Sequence, residues 1–268
     1  MSLASLDYSL HPKSHDFVWQ DTAGPFRRIT PAQARQYDEA GYFLLDSAFT
    51  PQEIAAVIAE IDPVETRQEA ALAKSGQEHF IYKPGQITFT IHMVMRSAAL
   101  RAFSRHRVFL DLCHDLMGPK ARLYWDQAVY KKPGMAQDFP WHQDNGYTFT
   151  SPQQYLTCWV ALTDATVENG CPWVVPGLHR VGTLAHRSTP YGHACLEGMP
   201  EGAVAVPAKA GDIVVFSSLT PHRTGPNLTG ETRRSYILQY APDGVIADDP
   251  FKGLVRADDP DRQYLLEP

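Results

Sequence analysis

One segment of the sequence has the residue types and the spacing of a metal site, since His142-Gln143-Asp144 is its single His-x-Asp. Residues two apart on an extended backbone point the same way, so the imidazole and the carboxylate converge on one side of a strand end. The chain has 11 histidines, and an isolated histidine is more often a packed or surface residue than a ligand. Spacing therefore carries the argument, and it predicts that His142 and Asp144 hold two positions of one metal ion.

The best third ligand is His222, which follows the apolar stretch 211–216. Pro221 and Gly225 beside it are typical of a rigid turn at the rim of a barrel. Two histidines and one carboxylate form the facial triad of non-haem Fe(II) oxygenases, which leaves positions open for a cosubstrate and dioxygen. The residues therefore predict an iron site, although ligand identity alone also allows zinc.

Arg233 and Ser235 lie two residues apart on a predicted strand and therefore face the same side. A guanidinium with a neighbouring hydroxyl suits bidentate capture of the distal carboxylate of a small dicarboxylate. Arg234 is expected to face the opposite way. The alternative is a solvated arginine pair on an edge strand, and the metal motif favours the first interpretation.

Helices and short strands are expected to position these residues. Thr30-Pro31 and Thr50-Pro51 each place a Thr cap before a Pro, with Gln or Glu three residues after the cap. A strand is predicted over 42–45 and a third helix over about 97–117. Later apolar or β-branched runs, separated by turn residues, predict strands over 123–130, 155–162, 173–175, 203–206, 213–216 and 236–240. This order predicts a mostly β protein, a two-sheet jelly roll with flanking helices on one face.

The chain is expected to fold as a single domain, 1–268, with four parts. An extended N-terminal arm covers 1–26, and its Phe17 and Trp19 are expected to pack on the body. Helical support and the first strands cover 27–120, and the β core covers 121–242. The acidic C-terminal tail, 243–268, is expected to be a loose surface segment.

The order of these motifs resembles the phytanoyl-CoA dioxygenase family of Fe(II)- and 2-oxoglutarate-dependent oxygenases. The resemblance spans about residues 30–242 and rests on His142-x-Asp144, the stretch 168–179, Gly211-Asp212, the stretch 222–227 and Arg233-x-Ser235. It implies a double-stranded β-helix core of the cupin-like jelly-roll type. It also implies iron on His142, Asp144 and His222.

The same resemblance implies the surroundings of the cosubstrate. It places 2-oxoglutarate on Arg233, with Ser235 beside it, and puts Gln127 and Trp159 nearby. The implied enzyme uses dioxygen to oxidise, most simply to hydroxylate, a small-molecule metabolite while 2-oxoglutarate becomes succinate and CO2. Asp144 fills the position that halogenating relatives leave open for halide, which disfavours halogenation. Desaturation, ring formation and epimerisation use the same three ligands and stay open.

The resemblance makes His179, in Pro-Gly-x-His, a structural residue whose ring bonds to a neighbouring loop. Two departures from the family, Pro172 and Leu178, concern the shape of the pocket rather than iron binding. Two groups are expected either to line the pocket or to pack in the core. These are the strand face of Thr88, Thr90 and His92, and the aromatic set of Trp125, Trp141, Tyr147 and Phe149.

Composition excludes several classes of partner. Lys and Arg number 24 against 30 Asp and Glu, a formal charge of −6, and basic residues cluster only in pairs, so nucleic acid and anionic membranes are not expected partners. No apolar run reaches the length of a membrane span. Four cysteines without CxxC spacing and an N-terminus without a signal-peptide pattern predict a cytoplasmic protein. The lack of a basic segment favours a small or hydrophobic substrate over an acyl-CoA.

Two other classes of protein fit part of the pattern. A zinc- or other metal-dependent cupin-like hydrolase or isomerase would use the same three ligands, but it leaves Arg233 and Ser235 without a role. A non-catalytic jelly-roll binding module would make the histidines incidental and would retain no stoichiometric iron.

Overall fold

The computed structural model describes residues 6–75 and 85–266. The helices are α1 (Pro31–Ala40), α2 (Pro51–Ser75), α3 (Ala98–Phe103) and α4 (Arg107–Met117). The strands are β1 (Tyr42–Leu45), β2 (Ile87–Ile91), β3 (Ala121–Lys131), β4 (Phe139–His142), β5 (Thr150–Ser151), β6 (Leu156–Ala161), β7 (Pro172–Val174), β8 (Arg187–Thr189), β9 (Gly192–Ala194), β10 (Val204–Ala205), β11 (Ile213–Ser217), β12 (His222–Thr224), β13 (Arg233–Pro242), β14 (Ile246–Asp249) and β15 (Gly253–Arg256).

Two antiparallel sheets form the jelly roll. The large sheet has the order β1-β11-β6-β13-β3-β2 and the small sheet the order β10-β7-β12-β4. Apolar side chains of both sheets meet in one buried cluster, in which Val214 and Ile237 of the large sheet pack with Val174 of the small sheet. The interior between the sheets is therefore the core of the roll, and the predicted jelly-roll fold is confirmed.

The helices cover the outer face of the large sheet. Ile54 of α2 and Leu112 of α4 belong to the same buried cluster as Tyr236 and Leu238 of β13. The central strand β6 is consequently buried on both faces along its whole length. Apolar helix faces and the large sheet thus bury each other.

The first two helices begin at the expected caps. The Thr30 side chain accepts from the Gln33 amide while the Gln33 side chain accepts from the Thr30 amide, and Thr50 and Glu53 repeat this arrangement. The single third helix predicted over 97–117 is wrong, because α3 ends at Phe103 and α4 begins at Arg107. The Tyr240 hydroxyl donates to the Ser104 carbonyl at 2.8 Å, and this tertiary bond occupies an acceptor at the break.

The two ends of the described chain pack on the body. Trp19 is buried and meets the His179 ring edge-on, with centroids 4.4 Å apart. The expectation of a loose C-terminal tail is wrong, because β14 and β15 form a hairpin and Tyr264 and Leu266 are buried. Apolar residues near the end of the chain explain this burial, which the acidic composition of the segment obscured.

All four cysteines lie in the described part of the chain and are free thiols. Within 6–75 and 85–266, no helix combines the length and the hydropathy that crossing a membrane requires.

Candidate active site

The small sheet brings the two predicted histidine ligands side by side. His142 ends β4, His222 begins β12, and the two residues are direct partners in the antiparallel register. Asp144 follows β4 in a short 3-10 turn. One ligand atom from each of the three residues lies within 4.8 Å of the others, which is the separation that one shared metal ion requires.

Both imidazoles point the same nitrogen at the site. His142 Nδ1 lies 2.8 Å from the Pro140 carbonyl and His222 Nδ1 lies 3.0 Å from the Thr220 carbonyl, so each Nδ1 carries the proton and each Nε2 is a free acceptor. Burial lowers the pKa of His222 to about 4 and that of His142 well below its usual range. Both rings are therefore neutral at pH 7, which is the form that binds a metal.

The two oxygens of Asp144 have different roles. Oδ1 lies 3.8 Å from His222 Nε2 and 4.0 Å from His142 Nε2. Oδ2 accepts from the Thr157 hydroxyl at 2.5 Å, and the Gln239 side chain also bonds to the carboxylate. Burial raises the pKa of Asp144, and the nearby His142 and these two hydrogen bonds oppose that rise. The carboxylate is held with one oxygen toward the histidine nitrogens.

Gln143 and Gly146 anchor the segment that carries His142 and Asp144. The buried Gln143 side chain donates to the Gly182 and Leu219 carbonyls at 3.0 and 2.6 Å. The Gln143 backbone N–H donates to His186 Nε2 at 2.9 Å, and a Cβ on Gly146 would lie only 2.0 Å from the same ring. Since Leu219 lies in the turn that leads to His222, Gln143 ties the two ligand segments together.

Arg233 lies in a small chamber that also borders His142, Asp144 and His222. The chamber holds about 50 Å³ and is walled by side chains such as Trp159, Gln127 and Thr224. Arg233 is 1% exposed, and its guanidinium carbon lies 5.2 Å from the Trp159 ring centroid. Nη1 donates to the Ser235 hydroxyl at 3.0 Å, whereas Nε and Nη2 have no partner among the described residues.

A second buried basic side chain lies beside Arg233. Lys131 is its direct partner in the β3–β13 register, and the Lys131 ammonium donates to Thr224 Oγ1 at 3.0 Å and to the Gly225 carbonyl. Burial lowers the pKa of Lys131 well below its usual range, and the Arg233 charge acts in the same direction. Burial lowers the pKa of Arg233 to about 10. Arg233 is therefore cationic at pH 7 and suited to an anion.

A larger cavity of about 300 Å³ also borders His142 and Asp144. Its aromatic walls come from Phe89, Tyr124, Trp125, Phe139, Tyr147 and Tyr155. Gln127 borders both spaces. A shift in the β3–β13 register pairs Gln239 with Trp125 and Tyr240 with Leu123, and this bulge lets the consecutive Tyr124 and Trp125 both reach the cavity.

The structure separates the other predicted pocket residues. Trp125 and Tyr147 line the cavity, but Trp141 packs in a separate cluster and Phe149 stacks on His11. The pocket-lining interpretation of the face of Thr88, Thr90 and His92 is wrong: Thr88 donates to Glu65 of α2 at 2.8 Å, and the opposite face carries Phe89 into the cavity.

His179 contacts the helical layer, as a structural residue would. Its Nε2 lies 3.2 Å from the carbonyl of Asp38 in α1, and the ring is buried. Of the two departures from the family, Pro172 walls the small chamber and Leu178 packs in a separate apolar cluster.

Sequence reasoning missed several residues of the site. Two of them, Thr157 and Gln239, hold Asp144. Thr157 lies two residues before Trp159 on β6, and Gln239 lies six residues after Arg233 on β13. Each therefore shares a strand face with a predicted site residue, and the two-residue period of a strand could have identified both. Tyr124 carried no such signal, because its position depends on a bulge. Lys131 also carried no signal, because a lysine in a short basic pair is typical of an exposed surface.

The donor set fits Fe(II) with 2-oxoglutarate. Two neutral imidazoles and one carboxylate converge on a point, as a facial triad requires. The unpaired N–H groups of Arg233 lie in the same chamber and suit a carboxylate. These observations concern side chains of this chain alone and do not depend on any relative.

Comparisons with known proteins agree with this chemistry. The chain is 28% identical over 218 residues to methylphosphonate hydroxylase of Gimesia maris, covering 79% of this chain and 80% of that protein. It is 25% identical over 238 residues to ectoine dioxygenase of Bordetella parapertussis, covering 79% and 75%. The crystal structure of the epimerase SnoN in complex with Fe3+, alpha-ketoglutarate and nogalamycin RO superposes with a TM-score of 0.70 at 23% identity, covering 88% of this chain and 98% of that one, which shows the shared fold. The family model of phytanoyl-CoA dioxygenase matches residues 37–235, and the chain therefore belongs to the phytanoyl-CoA dioxygenase family.

Proposed function

We propose that this protein is an Fe(II)- and 2-oxoglutarate-dependent dioxygenase that hydroxylates a small molecule. In this proposal His142, Asp144 and His222 bind the iron and Arg233 binds the distal carboxylate of 2-oxoglutarate. The observation that carries it is the buried Arg233, whose Nε and Nη2 lack partners among the described residues in a chamber that borders the triad. A buried cation with free donors requires an anion, and a zinc hydrolase gives it none.

The bound iron and 2-oxoglutarate supply an oxidation in which dioxygen is consumed and 2-oxoglutarate is decarboxylated to succinate and CO2. The residues of this chain keep the reacting centre in place. Thr157 holds one oxygen of Asp144 and leaves the other toward the histidines. The Pro140 and Thr220 carbonyls hold the rings of His142 and His222 in the tautomer that frees Nε2.

The chamber around Arg233 excludes water from the distal end of the cosubstrate. Trp159 packs against the guanidinium, and Ser235 orients it by accepting one N–H while donating to the Val129 carbonyl at 3.1 Å. Ser235 thus acts on the cosubstrate through Arg233. Gln127, which borders both spaces, lies where cosubstrate and substrate would meet.

Small-molecule substrates are supported by the names of the relatives, methylphosphonate hydroxylase and ectoine dioxygenase. Hydroxylation, rather than another oxidative outcome of the same centre, is the simplest reaction of this class. The cytoplasmic location stays a prediction, and the four free thiols accord with it.

Arg233→Ala and Arg234→Ala form a matched pair of variants that tests this assignment. Arg234 lies on the opposite face of β13, 3.4 Å from Asp62. Anaerobic titration of 2-oxoglutarate into the Fe(II)-loaded protein, followed by the metal-to-cosubstrate charge-transfer absorbance, reports cosubstrate binding. We expect Arg233→Ala to weaken binding by roughly 2 to 5 kcal/mol, the usual cost of truncating a buried charge partner, and Arg233→Lys to restore part of it.

Arg234→Ala should bind 2-oxoglutarate like the unaltered protein. Equal affinities in the two alanine variants would contradict the assignment of Arg233. Substrate oxidation that continues without 2-oxoglutarate or dioxygen would contradict the dioxygenase itself and favour the hydrolase.

A further inference from the structure

The 300 Å³ cavity has almost no charge of its own. Among its described lining residues, the ionised or basic groups are His142 and Asp144, which belong to the triad, and the remainder are aromatic or uncharged polar side chains. The nearby cation, Arg262, pairs with Asp259 at 2.9 Å and donates to His92 at 3.1 Å. An anionic substrate would therefore find no free guanidinium or ammonium among the wall residues that the structure describes.

The site next to the cavity disfavours a second anion. A divalent metal, the Asp144 carboxylate and the cosubstrate dianion together carry net negative charge. The Arg233 cation offsets this charge, and it lies in the small chamber rather than in the large cavity. An anion entering the cavity would lose its hydration without gaining a charged partner on the described walls.

A cationic substrate would find no free carboxylate among the described lining residues. Asp144 supplies the single carboxylate among the described lining residues, and its oxygens face the histidines and Thr157. The rings are tilted against one another rather than arranged as parallel faces, with Tyr124 and Tyr155 at 59° and Phe89 and Phe139 at 47°. The remaining walls are aromatic or uncharged polar side chains, which suit an uncharged and largely apolar molecule.

A few hydrogen-bonding groups would orient such a molecule. Gln127 Oε1 accepts from Trp125 Nε1 at 3.2 Å, which leaves the Gln127 amide N–H groups for a ligand. Burial raises the pKa of the Tyr124 hydroxyl to about 12, so this group stays protonated and able to donate. The volume of about 300 Å³ is at the small end for ligand pockets and equals the space of about ten waters.

We infer that the substrate is a small, uncharged and largely apolar molecule with a hydrogen-bonding group that meets Gln127 or Tyr124. The inference rests on the proposed function, since it names the substrate class of the same site. It distinguishes this chain from an enzyme for acyl-CoA thioesters, phosphonates or other anions.

Three naphthalene probes of equal shape and different charge test the inference. They are 2-naphthol, naphthalene-2-sulfonate and the N,N,N-trimethyl-2-naphthylammonium ion, each titrated by calorimetry into the anaerobic protein loaded with Fe(II) and 2-oxoglutarate. We expect 2-naphthol to bind at least about tenfold more tightly than either ion, because an ion without a partner loses its hydration. Tighter or equal binding of either ion would overturn the inference.

Thr148 on the cavity wall offers a charge-gain variant with a matched control. Thr148→Arg places a cation at the wall and should raise the affinity for the sulfonate, whereas Thr148→Gln adds comparable bulk without charge and should not. If both variants change sulfonate binding equally, the probe does not occupy this cavity and the inference fails.

The charge-transfer absorbance, recorded before any probe is added, distinguishes a failure of the proposed dioxygenase function from a failure of the inferred substrate class. Its absence contradicts the proposed function. If the absorbance forms normally and 2-naphthol does not bind, the substrate class is wrong while the dioxygenase assignment stands.

Discussion

The Thr157 hydroxyl holds Asp144 Oδ2 at 2.5 Å and so determines which carboxylate oxygen faces the histidines. Thr157→Val keeps the shape of the side chain and removes this bond. We expect metal affinity to fall by about tenfold to a hundredfold, the usual effect of losing a partner of a metal ligand. Calorimetric titration with Fe(II) or Co(II) measures it.

Thr157→Ser is the control, because it keeps the hydroxyl. Its metal affinity should stay close to that of the unaltered protein. If Thr157→Val binds metal as tightly as Thr157→Ser, the Gln239 bond alone orients the carboxylate and the role of Thr157 is refuted.

Sequence spacing found the chemistry-bearing residues of the site but not their supports. His142 and Asp144 stand two apart, and so do Arg233 and Ser235 at the start of β13, so local geometry predicts that each pair points to one side. Only the tertiary fold brings Arg233 to the chamber beside the triad. Thr157 and Gln239 have the same period but are ordinary polar residues of buried strands, and only tertiary contact distinguishes them. Tyr124 enters the cavity through a bulge, which depends on pairing with β13 rather than on local sequence.

At the scale of elements, β3 carries a buried carboxylate on its helix side. Asp126 Oδ2 accepts from the Tyr236 hydroxyl at 2.9 Å and from the Val94 amide at 3.2 Å, while Oδ1 has no partner within the described ranges. Burial raises the pKa of this carboxyl from 3.8 to about 6. The folded protein therefore binds this proton more tightly than the unfolded chain does. The protonated carboxyl stabilises the fold below pH 3.8, and this contribution to the free energy of unfolding is lost as the pH rises through about 6.

Asp126→Asn removes the buried charge and keeps an acceptor for Tyr236. We expect it to raise the free energy of unfolding by about 2 kcal/mol at pH 8 and to change it little at pH 4. Urea unfolding at the two pH values measures the difference, with Asp261→Asn at an exposed position as the control. A variant that is less stable than the unaltered protein at pH 8 would show that the charged form is favoured in the fold.

Secondary structure was predicted best where the signal is local. The capping boxes at Thr30 and Thr50 need only four consecutive residues, and both helices begin there. The break between α3 and α4 involves Tyr240, far along the chain, and the packing of the C-terminal segment involves Tyr264 and Ser104. Such long-range contacts leave no trace in periodicity, which is why these two predictions were wrong.

Tyr264 fastens the C-terminal segment to the break between α3 and α4. Its hydroxyl lies 2.6 Å from Ser104 Oγ, and its ring lies 4.0 Å and 3.9 Å from the guanidinium carbons of Arg101 and Arg105. Tyr264→Ala should lower the free energy of unfolding by about 3 kcal/mol, in the range for truncating a buried aromatic residue. Leu265→Ala, at a neighbouring side chain that is 38% exposed, should change it by less than about 0.5 kcal/mol. Similar losses in both variants would mean that the segment is held by its backbone.

At the scale of the whole molecule, the class of protein followed from the order of motifs more than from any single residue. The predicted family, the jelly-roll fold and the iron- and 2-oxoglutarate-dependent class are confirmed by the family match over residues 37–235 and by the dioxygenase and hydroxylase relatives. Composition contributed the exclusion of polyanionic partners. The substrate depends on the shape and charge of one cavity, which residues from β2, β3, β4 and β13 build together.

Cosubstrate binding should also stabilise the whole fold. The folded protein buries Arg233 with two unpaired N–H groups and Lys131 beside it, and a carboxylate in the chamber would satisfy the guanidinium. A ligand present at 100 times its dissociation constant adds about 2.7 kcal/mol to the free energy of unfolding. For a protein of this size that corresponds to a rise in Tm of roughly 5 to 10 °C.

Thermal melting with Mn(II) alone and then with Mn(II) and 2-oxoglutarate measures the two increments separately. Arg233→Ala should keep the metal increment, because the triad is intact, and lose most of the increment from 2-oxoglutarate. Arg234→Ala should keep both, since its side chain lies on the face of β13 toward Asp62. If 2-oxoglutarate raises the Tm of Arg233→Ala as much as that of Arg234→Ala, the stabilisation comes from metal chelation alone, and the distal carboxylate lies elsewhere than at Arg233.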